Sequence, residues 1–133
     1  MDLVVTSGKR KMAIARAIAK AGSGNITINK KPYKNLHFID KLKIEEPLKI
    51  AKDIIGDLNF DVLINVRGGG EKSQIEASRI ALSRAIVEYS KNKEVKKAFL
   101  DYDRNLLVAD VRRKEAYKPG DSKARRKRQK SYR

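Results

Sequence analysis

The stretch VRGGGEKSQIEASRIALSRAI, residues 66 to 86, joins a run of glycines to a segment with helical periodicity. It continues FDVLINV, residues 60 to 66, in which every second residue is apolar, as in a strand with one buried face. A strand, a glycine turn and a helix are therefore predicted in that order. Phosphate-binding loops have the same order, so the stretch raises the question of whether this protein uses a nucleotide.

The glycine run fits the known nucleotide loops poorly. A Walker loop needs a glycine directly before its lysine, but Glu71 precedes Lys72, and Ser73 occupies the third glycine position of the pattern G-x-G-x-x-G. The hypothesis of a nucleotide-using enzyme is therefore the weaker one. Nucleotide binding or turnover by the purified protein would favour it. Two compatible roles remain for residues 68 to 70: positive φ angles that admit another backbone, or phosphate contact through backbone N–H groups.

The helix after the glycines has a start signal and an apolar face. Ser73 and Glu76 have the spacing of a capping box, which predicts a helix that begins near Ser73. Small residues keep the buried face narrow. That face is predicted to contain Ile75, Leu82, Ile86 and Tyr89.

Residues 11 to 21, KMAIARAIAKA, are ambiguous, because alanine favours a helix but strict alternation favours a strand. We predict a strand whose alanine face lets a helix pack very close. Elsewhere the patterns predict a strand at 25–29, a helix at 45–56 with Pro47 near its start, a short helix at 94–100 and a last strand at 105–111. The body is therefore predicted to be of mixed α and β structure.

The charge of the chain is its most informative bulk property. Lys and Arg number 32 against 16 Asp and Glu, for a net charge of +16 and a pI near 10.2. A charge this large on a small domain predicts a polyanion as partner. There is no cysteine and a single histidine, His37, so neither a thiolate nucleophile nor a zinc finger is predicted. We expect no cofactor, no membrane partner and an intracellular location.

Composition divides the chain near residue 111. Residues 112–133 hold eleven basic and two acidic residues, a net charge of +9 that leaves +7 for residues 1–111. The segment has no Leu, Ile, Val, Phe or Met, so it cannot bury enough apolar surface to fold alone. We predict a globular body, 1–111, and a basic arm, 112–133, that is ordered only against a partner and reaches about 70 Å when extended.

The glycine stretch closely resembles the signature of the small-subunit ribosomal protein nine family. SGKRKMAIARA, residues 7 to 17, is similar to the N-terminal stretch of that family, and the end QKSYR is similar to its archaeal and eukaryotic members. Within the signature the matching residues are Gly68, Gly69, Gly70, Ser73, Gln74, Ala77, Ala81, Ser83, Arg84, Ala85 and Ile86. The resemblance spans nearly the whole chain.

This resemblance implies a fold and a function. The fold is α+β, a four-stranded sheet with helices on one side, like the second domain of ribosomal protein S five, plus an extended basic tail. The function is a structural, non-enzymatic role in the head of the small subunit of cytoplasmic ribosomes, against ribosomal RNA and neighbouring proteins. The family's tail reaches the anticodon stem-loop of the peptidyl-site tRNA, a role that falls here on Ser131, Tyr132 and Arg133.

The basic residues and the glycines are the predicted sites for ribosomal RNA, and most of these contacts are expected to position the protein rather than to recognise bases. In the body they are Lys9, Arg10, Lys11, Arg16, Lys30, Lys31, Arg67, Gly68, Gly69, Gly70 and Lys72. In the arm they are Arg112, Arg113, Lys114, Lys118, Lys123, Arg125, Arg126, Lys127, Arg128 and Lys130. The second alternative is a non-ribosomal nucleic-acid module, such as a DNA-compacting protein. A preference of the protein for duplex DNA over structured RNA would favour this alternative.

Overall fold

Alternating small and apolar residues build the centre of a sheet in the computed structural model, which describes residues 3–108. The strands are β1 (Val4–Arg10), β2 (Ala13–Ala21), β3 (Ile26–Ile28), β4 (Lys31–Pro32) and β5 (Phe60–Arg67). The helices are α1 (Phe38–Ile55), α2 (Glu71–Ser90) and α3 (Lys93–Tyr102), with short 3₁₀ turns at Tyr33–Asn35 and Arg104–Leu106.

The five strands form one sheet in the order β1-β2-β5-β3-β4. All neighbouring strands are antiparallel except β3 and β5, which are parallel. Helix α2 packs on β1 and β2, α1 packs against α2, and α3 packs against α1. The α+β class with helices on one side is confirmed, but the sheet has five strands rather than four.

The alanines of β2 explain how closely α2 approaches the sheet. Ala13, Ala15, Ala17 and Ala19 are fully buried on the helix side, whereas the residues between them point away from it. The strand predicted for this segment is confirmed, and so is its close-packed helix. On β1, the Thr6 hydroxyl donates a hydrogen bond of 2.8 Å to the Ala81 carbonyl of α2. A backbone group of α2 is thus within reach of a short side chain of the sheet.

Helix α1 is longer than predicted, and its predicted start near Pro47 is wrong. It begins at Phe38, with His37 as its N-cap, and contains Pro47 as a buried interior residue. An interior proline costs a helix about 3 kcal/mol through a lost hydrogen bond and a clash. The buried stripe of Ile44, Leu48 and Ala51 packs into the core and offsets that cost. Tertiary packing therefore outweighs the local preference against a proline inside a helix.

The C-terminal part of the body ends differently from the prediction. Helix α3 confirms the short helix expected at 94–100, but residues 104–106 form a 3₁₀ turn instead of the start of a strand. The Asp103 carboxylate caps this turn by accepting from the Asn105 N–H at 2.9 Å, and Leu106 is fully buried. Residues 109–111 and the arm, with all of its predicted contact residues, lie outside the described residues. Within 3–108, no helix is long and apolar enough to cross a membrane.

One carboxylate organises the loop before β3. Oδ1 of Asp61, on β5, accepts hydrogen bonds from the backbone N–H groups of Ser23, Gly24 and Asn25 at 3.0, 3.1 and 2.9 Å. These bonds, that from Asn25 foremost, hold the pKa of Asp61 below its ordinary value of 3.8, and the charge of Lys20 acts in the same direction. The loop is therefore fixed by an ionised side chain.

Replacing Asp61 with asparagine should make the body less stable at neutral pH and less sensitive to acid. Because folding lowers the pKa, the ionised carboxylate stabilises the folded state above pH 3.8 and loses that effect as the pH falls through the lowered pKa. Urea unfolding at pH 7 and at pH 3 measures both effects. Asp53→Asn, at an exposed position of α1, is the matched control and should behave like the parent. An identical pH dependence in Asp61→Asn and the parent would contradict the assignment.

Candidate nucleic-acid interface

The glycine loop lies against the turn between β1 and β2. Gly68 and Gly69 have positive φ angles of 81° and 65°. A Cβ atom on Gly68 would lie 2.5 Å from the Met12 carbonyl oxygen, and one on Gly69 would lie 2.9 Å from the Ala13 nitrogen. These two glycines therefore allow close backbone approach, the first of the two roles considered for them. Both residues are exposed, so phosphate contact through their backbone N–H groups, the second and compatible role, stays a prediction.

Gly70 has a different role, because it is the N-cap of α2. Its φ is −92°, and a Cβ atom there would meet nothing within 4 Å. The capping box predicted for Ser73 is wrong: the helix begins at Glu71, and within the described residues its N-cap forms no side-chain hydrogen bond. The Gln74 side chain instead bonds back to the Gly68 carbonyl at 3.0 Å. The first-turn N–H groups of α2 are consequently left without a side-chain acceptor at the cap.

Two tight turns lie at the same end of the sheet as this helix terminus. The turn after β1 contains Lys11 with a φ of 53°, and the turn after β3 contains Asn29 and Lys30 with φ angles of 50° and 68°. Asn29 is held beside β5, because its N–H donates to the Ile64 carbonyl at 2.8 Å and its side chain accepts from the Val66 N–H at 2.9 Å. Both turns therefore place an exposed lysine near the carboxyl end of β5.

Sheet pairing brings further cations to this end. Lys9 on β1 pairs with Ile14 on β2, and Ile14 pairs with Arg67 on β5, so Lys9 and Arg67 lie in one row across three strands. Lys72 follows in the first turn of α2. We call this cluster the basic end, and it consists of Lys9, Lys11, Lys30, Lys31, Arg67 and Lys72. All six side chains are exposed, and none forms an ion pair within residues 3–108.

Two further predicted contact residues are not members of the basic end. The Arg10 guanidinium faces α2, where its Nε is 2.7 Å from the Glu76 carboxylate, and only 15% of the side chain is exposed. Arg16 lies on the face of the sheet opposite the helices, paired with Ser7 and Asn65, and is therefore next to the row of Lys9, Ile14 and Arg67 on that face. The structure thus brings together six of the basic body residues, places Arg16 beside two of them and turns Arg10 towards α2.

Arg84 has a structural role that the sequence pattern did not indicate. Its Nε donates to the Leu107 carbonyl and its Nη1 to the Ser7 carbonyl, each at 2.8 Å. The side chain thus ties the last described residues before the arm to the edge strand β1. The one available signal was its place in the glycine signature, since helical periodicity put it away from the centre of the buried face.

Comparison with known proteins places this chain in a family. The family model described as "Ribosomal protein S9/S16" matches residues 8–133. The chain therefore belongs to the ribosomal protein S9/S16 family, as the resemblance of the signature predicted.

Three similar relatives share one name. The small ribosomal subunit protein uS9 of Methanococcus maripaludis strain C5 is 51% identical over 137 residues, which cover all of both chains. The protein of that name from Thermoplasma volcanium is 48% identical over 135 residues, again all of both chains. That from Desulfurococcus amylolyticus is 48% identical over 136 residues, covering all of this chain and 94% of its own. The predicted archaeal type is confirmed by these archaeal relatives.

Proposed function

We propose that this ribosomal protein is a structural, non-enzymatic component of the small subunit that binds ribosomal RNA through its basic end and its arm. One observation carries the proposal: six cations from four elements and two tight turns lie at the end of the sheet where α2 begins without a side-chain cap among the described residues. Backbone N–H groups at a helix N-terminus and nearby ammonium groups both favour phosphate oxygens. The names of the relatives, which assign them to the small subunit, support the location in cytoplasmic ribosomes.

The chemistry of the basic end suits a phosphate backbone rather than base recognition. Five of its six cations are lysines, which act as mobile point charges, and Arg67 is its single guanidinium. Such groups fix the position of a protein on RNA without sequence preference. Gly70 leaves room for close approach, because nothing lies near the position of its missing side chain. Contacts by Arg10 and Arg16 remain part of the proposal, although Arg10 faces α2 and pairs with Glu76.

Neutralising two lysines of the basic end should weaken RNA binding and reduce its salt dependence. In the variant Lys11→Gln/Lys72→Gln, two phosphate contacts are lost, so the slope of log affinity against log salt should fall by about 1.4 to 1.8. Filter binding to a small-subunit RNA fragment at several salt concentrations measures the slope. Lys96→Gln/Lys97→Gln on α3 removes the same charge from another exposed surface and should leave the slope nearly unchanged. Equal decreases of the salt slope in the two variants would mean that RNA does not bind specifically at the basic end.

The finer part of the proposal concerns the end of the arm. By the resemblance, Ser131, Tyr132 and Arg133 meet the anticodon stem-loop of the peptidyl-site tRNA, where Tyr132 stacks on a base or ribose or lies against the backbone. Neighbouring proteins of the subunit head are further partners of the body. These roles rest on the family's pattern and on the charge of residues 112–133.

Removing Arg133 should affect tRNA binding more than subunit assembly. One charge-assisted hydrogen bond to phosphate would be lost, so peptidyl-site tRNA should dissociate about tenfold faster from reconstituted subunits. The control Arg128→Gln removes one charge from the same arm and should change that rate less. An unchanged dissociation rate without Arg133 would contradict the tRNA role while leaving the RNA-binding proposal intact.

A further inference from the structure

The face of the sheet opposite the helices carries an apolar patch. On β1, β2 and β5 the residues that alternate with the buried ones are open to solvent, and we call this surface the open face. Its large apolar side chains are Val5, Ile14, Ile18 and Leu63, which we call the apolar patch. Val5 is 52% exposed, Ile14 51% and Leu63 38%, while Ile18 is half-buried. Exposed aliphatic side chains grouped on one face are typical of a surface that another molecule covers.

The pairing register makes the patch continuous. Val5 pairs with Ile18, and Ile18 pairs with Leu63, so these three form one row across the three strands. Directly paired side chains on one face lie about 4.5 to 5.5 Å apart at their Cβ atoms. Ile14 lies on the same face of β2, beyond the row of Ser7, Arg16 and Asn65. The row of Val5, Ile18 and Leu63 is therefore the continuous part of the patch.

The charges around the patch are mostly positive. Arg16 lies between the two isoleucines of β2, Lys20 lies beyond Ile18, and both are exposed without an ion pair within residues 3–108. The strands β1, β2 and β5 contain one carboxylate, Asp61, whose Oδ1 accepts three backbone N–H groups, and Glu88 of α2 lines a pocket with Val5 and Arg16 at the edge of the sheet. A partner of the open face therefore meets aliphatic side chains that are flanked by more cations than carboxylates.

Three occupants fit this surface poorly. The arm, residues 112–133, has a net charge of +9 and no Leu, Ile, Val, Phe or Met with which to cover the patch. A second copy of the chain would bring another +16 and the same cations. RNA bases pack on sheets through aromatic rings, but β1, β2 and β5 contain one aromatic residue, Phe60, which is buried under the helices. Apolar and acidic side chains together match the patch and its charges.

We infer that the apolar patch docks a neighbouring protein of the small subunit through an apolar segment flanked by acidic residues. The inference rests on the proposed place of the chain in that subunit and adds the surface and the chemistry of the partner. The basic end borders the open face at Lys9 and Arg67, so RNA at that end and a protein on the patch can be bound side by side. The same face thus joins the two kinds of neighbour.

Photocrosslinking in assembled subunits tests the identity of the occupant. The photoreactive residue p-benzoylphenylalanine is placed at Leu63, with Leu100, a 41% exposed leucine of α3, as the control position. After irradiation of purified small subunits, we expect position 63 to capture one protein through a peptide rich in Asp or Glu. Capture of RNA, absence of any crosslink, or capture of the same peptide from position 100 would overturn the inference. Absence of the chain from the subunit fraction, scored before irradiation, would overturn the proposed function and this inference with it.

A pair of charge variants tests the predicted chemistry of that partner. Leu63→Lys and Leu63→Asp both remove the apolar contact, but only the second places a like charge against acidic residues. We expect Leu63→Asp to bind the captured protein about tenfold more weakly than Leu63→Lys does, measured with the purified full chain. Circular dichroism should show the same fold for both, since position 63 is exposed. Equal affinities of the two variants would overturn the acidic character assigned to the partner.

Discussion

Replacing Gly8 with alanine should lower the free energy of unfolding by about 3 kcal/mol or more, near the upper range for overpacked cores. A Cβ atom on Gly8 would lie 2.3 Å from the Ala77 carbonyl oxygen and 2.6 Å from the Ala81 nitrogen. Both contacts are with the backbone of α2, which cannot move away by a change of rotamer. The smaller entropy of an unfolded chain with alanine is worth only about 0.4 to 1 kcal/mol in the opposite direction. The steric clash is the larger effect, so the substitution is expected to destabilise the protein.

Gly70 provides the matched control for this experiment. It is exposed, its φ is −92°, and a Cβ atom there meets nothing within 4 Å, so Gly70→Ala should change stability by less than about 1 kcal/mol. Urea unfolding followed by circular dichroism compares the two variants, and failure of Gly8→Ala to fold would agree with the prediction. Equal stability of the two variants would show that β1 and α2 can separate without cost.

The same contact explains why sequence patterns missed β1. In this strand the residues that face α2 include Thr6 and Gly8, both buried, whereas the exposed positions include Val5. In this strand, small residues are buried and an apolar residue is exposed, which is the reverse of the usual pattern. The reason is that α2 lies so close that only small side chains fit beneath it. The alanine strand shows the same inversion, since its alanines are buried while Ile14 is 51% exposed, yet its strict alternation still predicted a strand. In residues 60 to 66 the alternating apolar residues are the buried ones, and that strand was also correctly predicted. Strict alternation therefore suffices to predict a strand, whichever set of residues is buried.

The basic end was predictable in its members but not in its geometry. Lys9, Lys30 and Arg67 could be proposed singly from charge and from the neighbouring turns. Their convergence depends on β5 lying between β2 and β3, a sheet order that no local pattern specifies. The separation of Arg10 from Lys9 depends equally on tertiary structure, since Glu76 of α2 is 66 positions away in the chain and pairs with Arg10. Charge composition therefore predicts the class of partner, and only the fold shows which of the predicted contact residues lie together.

Deleting residues 112–133 should produce the largest change in RNA binding. The segment holds eleven basic residues, and if all of them contact phosphates, the salt slope of binding should fall by about eight to ten. Affinity should fall most at low salt, where counterion release contributes most. The body should keep its unfolding transition, because Leu106 and the Arg84 bonds to Leu107 and Ser7 close its C-terminal end before the arm begins.

A scrambled arm separates charge from sequence in this experiment. A chain that keeps the composition of residues 112–133 in a different order has the same cations, so its salt slope should match that of the parent. Its peptidyl-site tRNA should nevertheless dissociate faster, because Arg133 is displaced from its position. If deletion of the arm abolished the unfolding transition of the body, the division at residue 111 would be wrong. A salt slope that survived the deletion would assign the RNA contacts to the basic end alone.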